Sequence, residues 1–285
     1  MMKNKFFLCA FVLIFSVSHL IAQQTEIVPI VEMRTNGLLG GVQNGKWVEA
    51  KRVAPLLKNK NEFFLLNPGG GKQSIFSTEK PRGLEICQDY YEIPFGGETK
   101  NGVAIGSAAN WNLMPRALKE IGKTDATYLK IVGDFLRTRG IAKPAAKISQ
   151  GYRVDLDGDG TEEAVLAATN YHSGVIPSVK AGDYSFLLLR KVVGGKAQNV
   201  LIAGEFYPKA KEFSAPNEFS IQAIADLNGD GRMEIVMHGA YYEGAGSEIY
   251  DVSGAKPKMV LGAGFCFFYS ANSDGILLDN FAVLE

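Results

Sequence analysis

The sequence is short of cysteine and histidine and has no excess of either charge, and each shortage removes a class of function. Three cysteines, Cys9, Cys87 and Cys266, occur in 285 residues. That is too few for a disulfide scaffold, and no C-x-x-C is present for a zinc site or redox pair. Three histidines leave no H-E-x-x-H zinc helix, and a G-x-S-x-G nucleophile elbow is also missing. Lys plus Arg and Asp plus Glu number 30 each, so there is no basic excess of the kind nucleic-acid partners require. A hydrophobic share of 46% excludes a disordered or collagen-like chain. Gly69-Gly70-Gly71-Lys72 has the look of a phosphate loop, but Gln73 replaces the Ser or Thr that holds magnesium and Leu66 stands at the first glycine.

Long apolar runs are also lacking, with one exception. Lys3 and Lys5 precede the apolar run Phe6 to Val17, and Ser18-His19-Leu20-Ile21-Ala22 follows. This is the pattern of a secretory signal, with the cut placed after Ala22. The run falls short of the roughly 20 residues of a membrane anchor. The expectation is an exported chain, secreted or periplasmic, with no membrane span after cleavage. Export permits a disulfide between Cys87 and Cys266, and the spacing leaves open whether they pair.

From residue 23 to about residue 145 short β-like runs alternate with turns. Asn44-Gly45 between Gly37–Val42 and Lys46–Glu49 is the strongest hairpin signal. Further runs are Glu62–Leu66, Asp89–Ile93 and Gly102–Ile105, while Val53–Leu57 fits either a helical turn or a strand. One helix is clear. Thr124 or Asp125 can cap it, Tyr128, Leu129, Val132, Phe135 and Leu136 form one stripe, and Gly140 ends it before Pro144. The stripe predicts packing on a sheet.

Residues 146–285 contain a duplication. Asp155-Leu156-Asp157-Gly158-Asp159-Gly160-Thr161-Glu162-Glu163 returns 71 residues later as Asp226-Leu227-Asn228-Gly229-Asp230-Gly231-Arg232-Met233-Glu234. Ala164-Val165-Leu166 aligns with Ile235-Val236-Met237, and Tyr171 with Tyr242. Each copy reads as four strands with the acidic loop between the first two. Oxygen ligands at alternate positions of a tight loop suit a hard cation, calcium more readily than magnesium. The candidate ligands are Asp155, Asp157, Asp159, the Thr161 carbonyl and Glu163 in the first copy. In the second they are Asp226, Asn228, Asp230, the Arg232 carbonyl and Glu234. An EF-hand would need a Glu at the twelfth position, where Leu166 and Met237 stand.

The acid at position nine resembles instead the calcium loops of FG-GAP and VCBS repeats, the type found in integrin α-subunit β-propellers. The likeness covers roughly Tyr152 to Phe265. It implies calcium at two sites, held by the first, third, fifth and ninth side chains and the seventh carbonyl, which are the ten residues just named. It also implies propeller-blade-like repeats. The chain departs from the pattern by placing Glu rather than Asp at position nine, and it has two clear copies where a ring needs about 4–8 blades.

The expected fold is mainly β with one or two helices (α+β is the neighbouring class). It comprises a leader over 1–22, an N-terminal β-rich region over 23–145 ending in the helix, and the duplicated calcium region over 146–285. No residue set completes a catalytic constellation. His172 and His238 follow the two loops, with Glu243 or Asp183 placed to orient an imidazole, but they are not equivalent in the repeat. Trp47, Trp111, Tyr171, Tyr241 and Tyr242 offer a platform for an extracellular protein or carbohydrate. The expected function is a calcium-stabilised binding module. The alternative is a secreted hydrolase with a site between the halves, and a structural envelope protein is the third reading.

Overall fold

The computed structural model describes residues 26–84, 87–97, 101–171, 178–214, 216–242 and 244–266. The expected leader over 1–22, His172, Glu243 and the residues after 266 lie outside it. The chain is mainly β. Its N-terminal sheet comprises β1 Val28–Glu32, β2 Gly37–Gln43, β3 Lys46–Glu49, β4 Glu62–Leu66, β5 Lys72–Phe76, β6 Arg82–Leu84, β7 Cys87–Glu92 and β8 Val103–Gly106. Their order is β5-β4-β8-β1-β2-β7-β6, with β3 also beside β2. Asn44 and Gly45 join β2 to β3 at φ 54° and 71°, the twist that a two-residue hairpin turn requires. The stretch that fitted either a turn or a strand is helical: α1 covers Ala50–Val53 and a 3-10 turn Ala54–Leu56, with Pro55 in the first turn, where its missing N–H costs nothing.

Each copy of the duplication is an antiparallel meander. The first contains β9 Lys119–Glu120, β10 Gln150–Val154, β11 Glu163–Thr169, β13 Asp183–Val193 and β14 Lys196–Tyr207, in the order β14-β13-β11-β10-β9. The small strands β12 Ser178–Val179 and β15 Lys211–Glu212 pair with each other beside it. The second contains β16 Glu218–Ala225, β17 Glu234–Tyr241, β18 Gly244–Asp251 and β19 Lys258–Cys266, in that order. In both copies the acidic loop joins the first two strands of the repeated four-stranded unit, β10 to β11 and β16 to β17, and β9 is an added edge strand beside β10.

The helix α2 spans Ala126–Thr138. Asp125 is its cap, accepting the N–H groups of Thr127 at 2.9 Å and Tyr128 at 3.2 Å, and Gly140 ends it at φ 87°. Although it precedes residue 145, α2 lies on the sheet of the first copy, where Val132, Phe135 and Leu136 meet Ala164, Leu166, Phe186 and Leu188.

Strand alternation sends successive side chains to opposite faces, and four apolar layers result. Val31, Val48, Phe63 and Leu65 of the N-terminal sheet cover α1 at Val53. Its other face, with Ile30, Val42 and Ile105, meets Ala225, Val236 and Ile249 of the second copy. The opposite face of the second copy, with Ile224, Ile235 and Met237, meets Val165, Leu187 and Leu189 of the first. The outer face of the first copy lies under α2. The spatial order is therefore N-terminal sheet, second copy, first copy. Helices cover both ends of the stack, so the described residues do not close into a ring of blades. Cys87 is disulfide-bonded, and β19 runs beside β7.

Candidate metal centres

The two acidic loops share one hydrogen-bond scheme. The first residue of each turns its carboxylate inward onto loop N–H groups: Asp155 accepts from Gly158 at 2.7 Å, Asp159 at 3.1 Å and Gly160 at 3.0 Å. Asp226 accepts from Gly229 at 2.7 Å and Gly231 at 2.9 Å. The third side chain takes the N–H of the fifth residue, at 3.2 Å for Asp157 and 2.9 Å for Asn228. The fifth takes that of the seventh, at 2.6 Å for Asp159 and 2.8 Å for Asp230. The ninth closes the loop on the second: Glu163 accepts from Leu156 at 2.9 Å and Glu234 from Leu227 at 2.8 Å. This winding needs left-handed backbone at positions four and six, where Gly158 and Gly160 have φ 82° and 88°, and Gly229 and Gly231 have 79° and 83°.

In the first loop a carboxylate oxygen from each of Asp155, Asp157 and Asp159 lies within 4.8 Å of the others. Glu163 is buried at the base and stands outside that trio, while Thr161 is exposed on the turn. Burial first, and then the charges of Asp157, Asp159 and Asp155, hold the Glu163 carboxyl above its usual range against the lowering effect of the Leu156 N–H. In the second loop Asp226 and Glu234 are buried, Asn228 is half-buried, and Asp230 and Arg232 are exposed. Asn228 donates its amide to Asp230 at 3.3 Å, and the three acids do not converge as the first trio does. Burial, with Asp230, Asp226 and Asp251 adding to it, pushes Glu234 up to about 8, and burial also raises Asp226. Both donor sets consist of oxygen alone, the chemistry of a hard cation, whose charge would reverse these shifts.

Sequence reasoning missed the segment that carries these loops. Trp111 donates its indole N–H to the Asp226 carbonyl at 2.9 Å, and the Asp226 N–H reaches the Leu113 carbonyl at 2.9 Å. The Trp111 ring lies so close over Gly229 that a β-carbon there would meet it at 3.0 Å. Arg116 donates to the carbonyls of Asp155, Leu156 and Gly231. Trp111 stands out in the sequence only as a platform aromatic, and Leu113 and Arg116 belong to no repeat and match no motif, so no signal in the sequence ties this segment to the loops.

His238 lies on β17. It is 3% exposed, between the N-terminal sheet and the second copy, with Nδ1 2.9 Å from Ser247 Oγ and 3.7 Å from Glu32 Oε2. Serine and carboxylate thus approach the same ring nitrogen, whereas a relay needs them on opposite nitrogens. Burial holds His238 down to about 4 and raises Glu32. Asp183 is occupied in a turn, accepting the Lys180 N–H at 2.7 Å. The aromatic residues also separate. Trp47 and Trp111 pack against the same core cluster, and Trp111 lies over the second loop. Tyr241 ends β17, an eight-residue strand that starts at that loop, about 25 Å away at roughly 3.3 Å per residue. Tyr171 has a buried hydroxyl without a hydrogen-bond partner.

Tyr241 lines a groove of about 460 Å³ between the two copies, together with Phe219 and Met259. Gly239, Gly246 and Gly264 pair in register across its floor. Compared with family models, with curated proteins and with solved structures, the chain gives no match to any.

Proposed function

We propose that the chain is an exported, calcium-stabilised binding module of FG-GAP/VCBS type, with propeller-blade-like repeats and one calcium site in each acidic loop. The observation that carries this reading is the common hydrogen-bond scheme of the two loops, which sets oxygen-bearing side chains at equivalent positions of the same backbone winding, three of them converging in the first loop. Calcium supplies the charge that offsets crowded carboxylates. The chain supplies Asp155, Asp157, Asp159, the Thr161 carbonyl and Glu163 at one site. Asp226, Asn228, Asp230, the Arg232 carbonyl and Glu234 form the other, with one charge fewer. The groove beside Tyr241 has the apolar floor and aromatic walls that suit an extracellular carbohydrate or protein segment. The buried, single-nitrogen arrangement at His238 makes binding the preferred reading over hydrolysis.

Thermal unfolding of residues 23–285 tests the metal. The melting temperature rises by several degrees with calcium, by much less with magnesium, and returns with chelator. A double Asp155→Ala, Asp226→Ala variant loses the response. A melting curve indifferent to calcium overturns the assignment.

A further inference from the structure

Arg116 lies in neither acidic loop, yet it fastens each to the other. Its Nε donates to the Asp155 carbonyl, and its Nη2 donates to the carbonyls of Leu156 at 2.9 Å and Gly231 at 2.8 Å. A backbone bond adds to this bridge, from the Met233 N–H to the Leu156 carbonyl at 2.8 Å. These contacts fall at positions one and two of the first loop and six and eight of the second, directly beside the proposed ligands. A guanidinium is a planar fork whose donors have fixed directions. A shift in one loop backbone therefore changes the geometry available to the other. The bonds go to backbone carbonyls, so the contribution of Arg116 is position rather than neutralisation of the loop acids.

We infer that Arg116 is a shared positioning residue of both cation sites and makes them a coupled pair, in which filling one loop strengthens binding at the other. The inference rests on the calcium reading above. A cation drawing together Asp155, Asp157 and Asp159 fixes the Asp155 and Leu156 carbonyls. Through the fork and the Met233 bond those carbonyls hold Gly231 and Met233, which flank Arg232. Linkage makes the effect reciprocal: whatever the first loop gives the second, the second returns.

Terbium, a hard ion that occupies calcium sites, is the probe on the exported chain, and Trp111 against Gly229 serves as the antenna for the second loop. Asp157→Asn weakens the first loop without touching the second. With Arg116 in place, this substitution raises the terbium concentration that half-fills the second loop at least about fivefold. In the Arg116→Gln background the same substitution has little effect. Arg116→Lys keeps the charge without the fork; it restores only part of the coupling, and it carries the comparison should Arg116→Gln fail to fold. Calorimetry with calcium on Asp230→Asn reads the reciprocal loss at the first loop. An unchanged second-loop midpoint in Asp157→Asn, with Arg116 present, overturns the coupling and leaves the calcium reading standing. Absence of sensitised emission from the unsubstituted chain at millimolar terbium overturns both.

Discussion

Glu32 and His238 are pushed by one cause in opposite directions on the pH scale. Burial disfavours charge on each, raising the carboxyl and holding the imidazole down to about 4. Burial between the N-terminal sheet and the second copy thus shifts each toward its neutral form. The sign for His238 follows from linkage. Its unfolded value is 6.5 and its folded value about 4, so between these the unfolded chain binds more protons. Stability falls as pH drops through that window, by up to about 3 kcal/mol from this residue. Glu32 has the opposite sign, its contribution declining as pH rises above the ordinary carboxyl range. Urea unfolding of His238→Asn and the unsubstituted chain, compared from pH 7 to pH 4, isolates the histidine. The difference in stability between the two shrinks or reverses toward pH 4, and a constant difference would refute a buried neutral imidazole.

At the scale of elements, the acidic loops and α2 show how local chemistry writes itself into sequence. An Asp or Asn side chain bonding an N–H two residues on, and glycine at left-handed positions, are properties of nine consecutive residues. The loops could therefore be identified without knowing their surroundings. The same holds for Asn44-Gly45 and for the cap, stripe and stop of α2. Asp125→Ala removes the acceptor for two N–H groups and lowers stability by about 1 kcal/mol. Leu136 is fully buried beneath the helix, and Leu136→Ala costs about 2–5 kcal/mol. Chemical denaturation separates the two, and equal losses would mean that α2 is not the lid of that layer. Between the copies, the amide of Gln150 accepts from the Ile221 N–H at 2.8 Å and donates to the Ile221 carbonyl at 3.0 Å. It satisfies both backbone groups beside the register shift of β16, a pairing of equivalent positions that no local pattern announces.

Across the whole molecule, the second copy has sheets on both faces, while the N-terminal sheet and the first copy each have a helix on one side. Its middle strand β17 is apolar from Ile235 to Met237 and buried through Gly239, as expected of a strand covered on both faces. Hydrogen exchange should find the β17 amides open only with global unfolding and those of the edge strand β5 exchanging early. Early exchange of β17 would refute the stacked order.

The sequence by itself determined the β-rich character, the two acidic loops with their paired glycines, the hairpin turn and the bounds of α2, because each depends on residues close along the chain. The tertiary structure alone decided that the second copy lies between the N-terminal sheet and the first. It alone brought Glu32 to His238 and set Arg116 between the loops. Those outcomes depend on which apolar faces bury one another most completely. Glu32 and His238 stand far apart in sequence, and a preference for one facing surface over another has no periodicity or motif to reveal it.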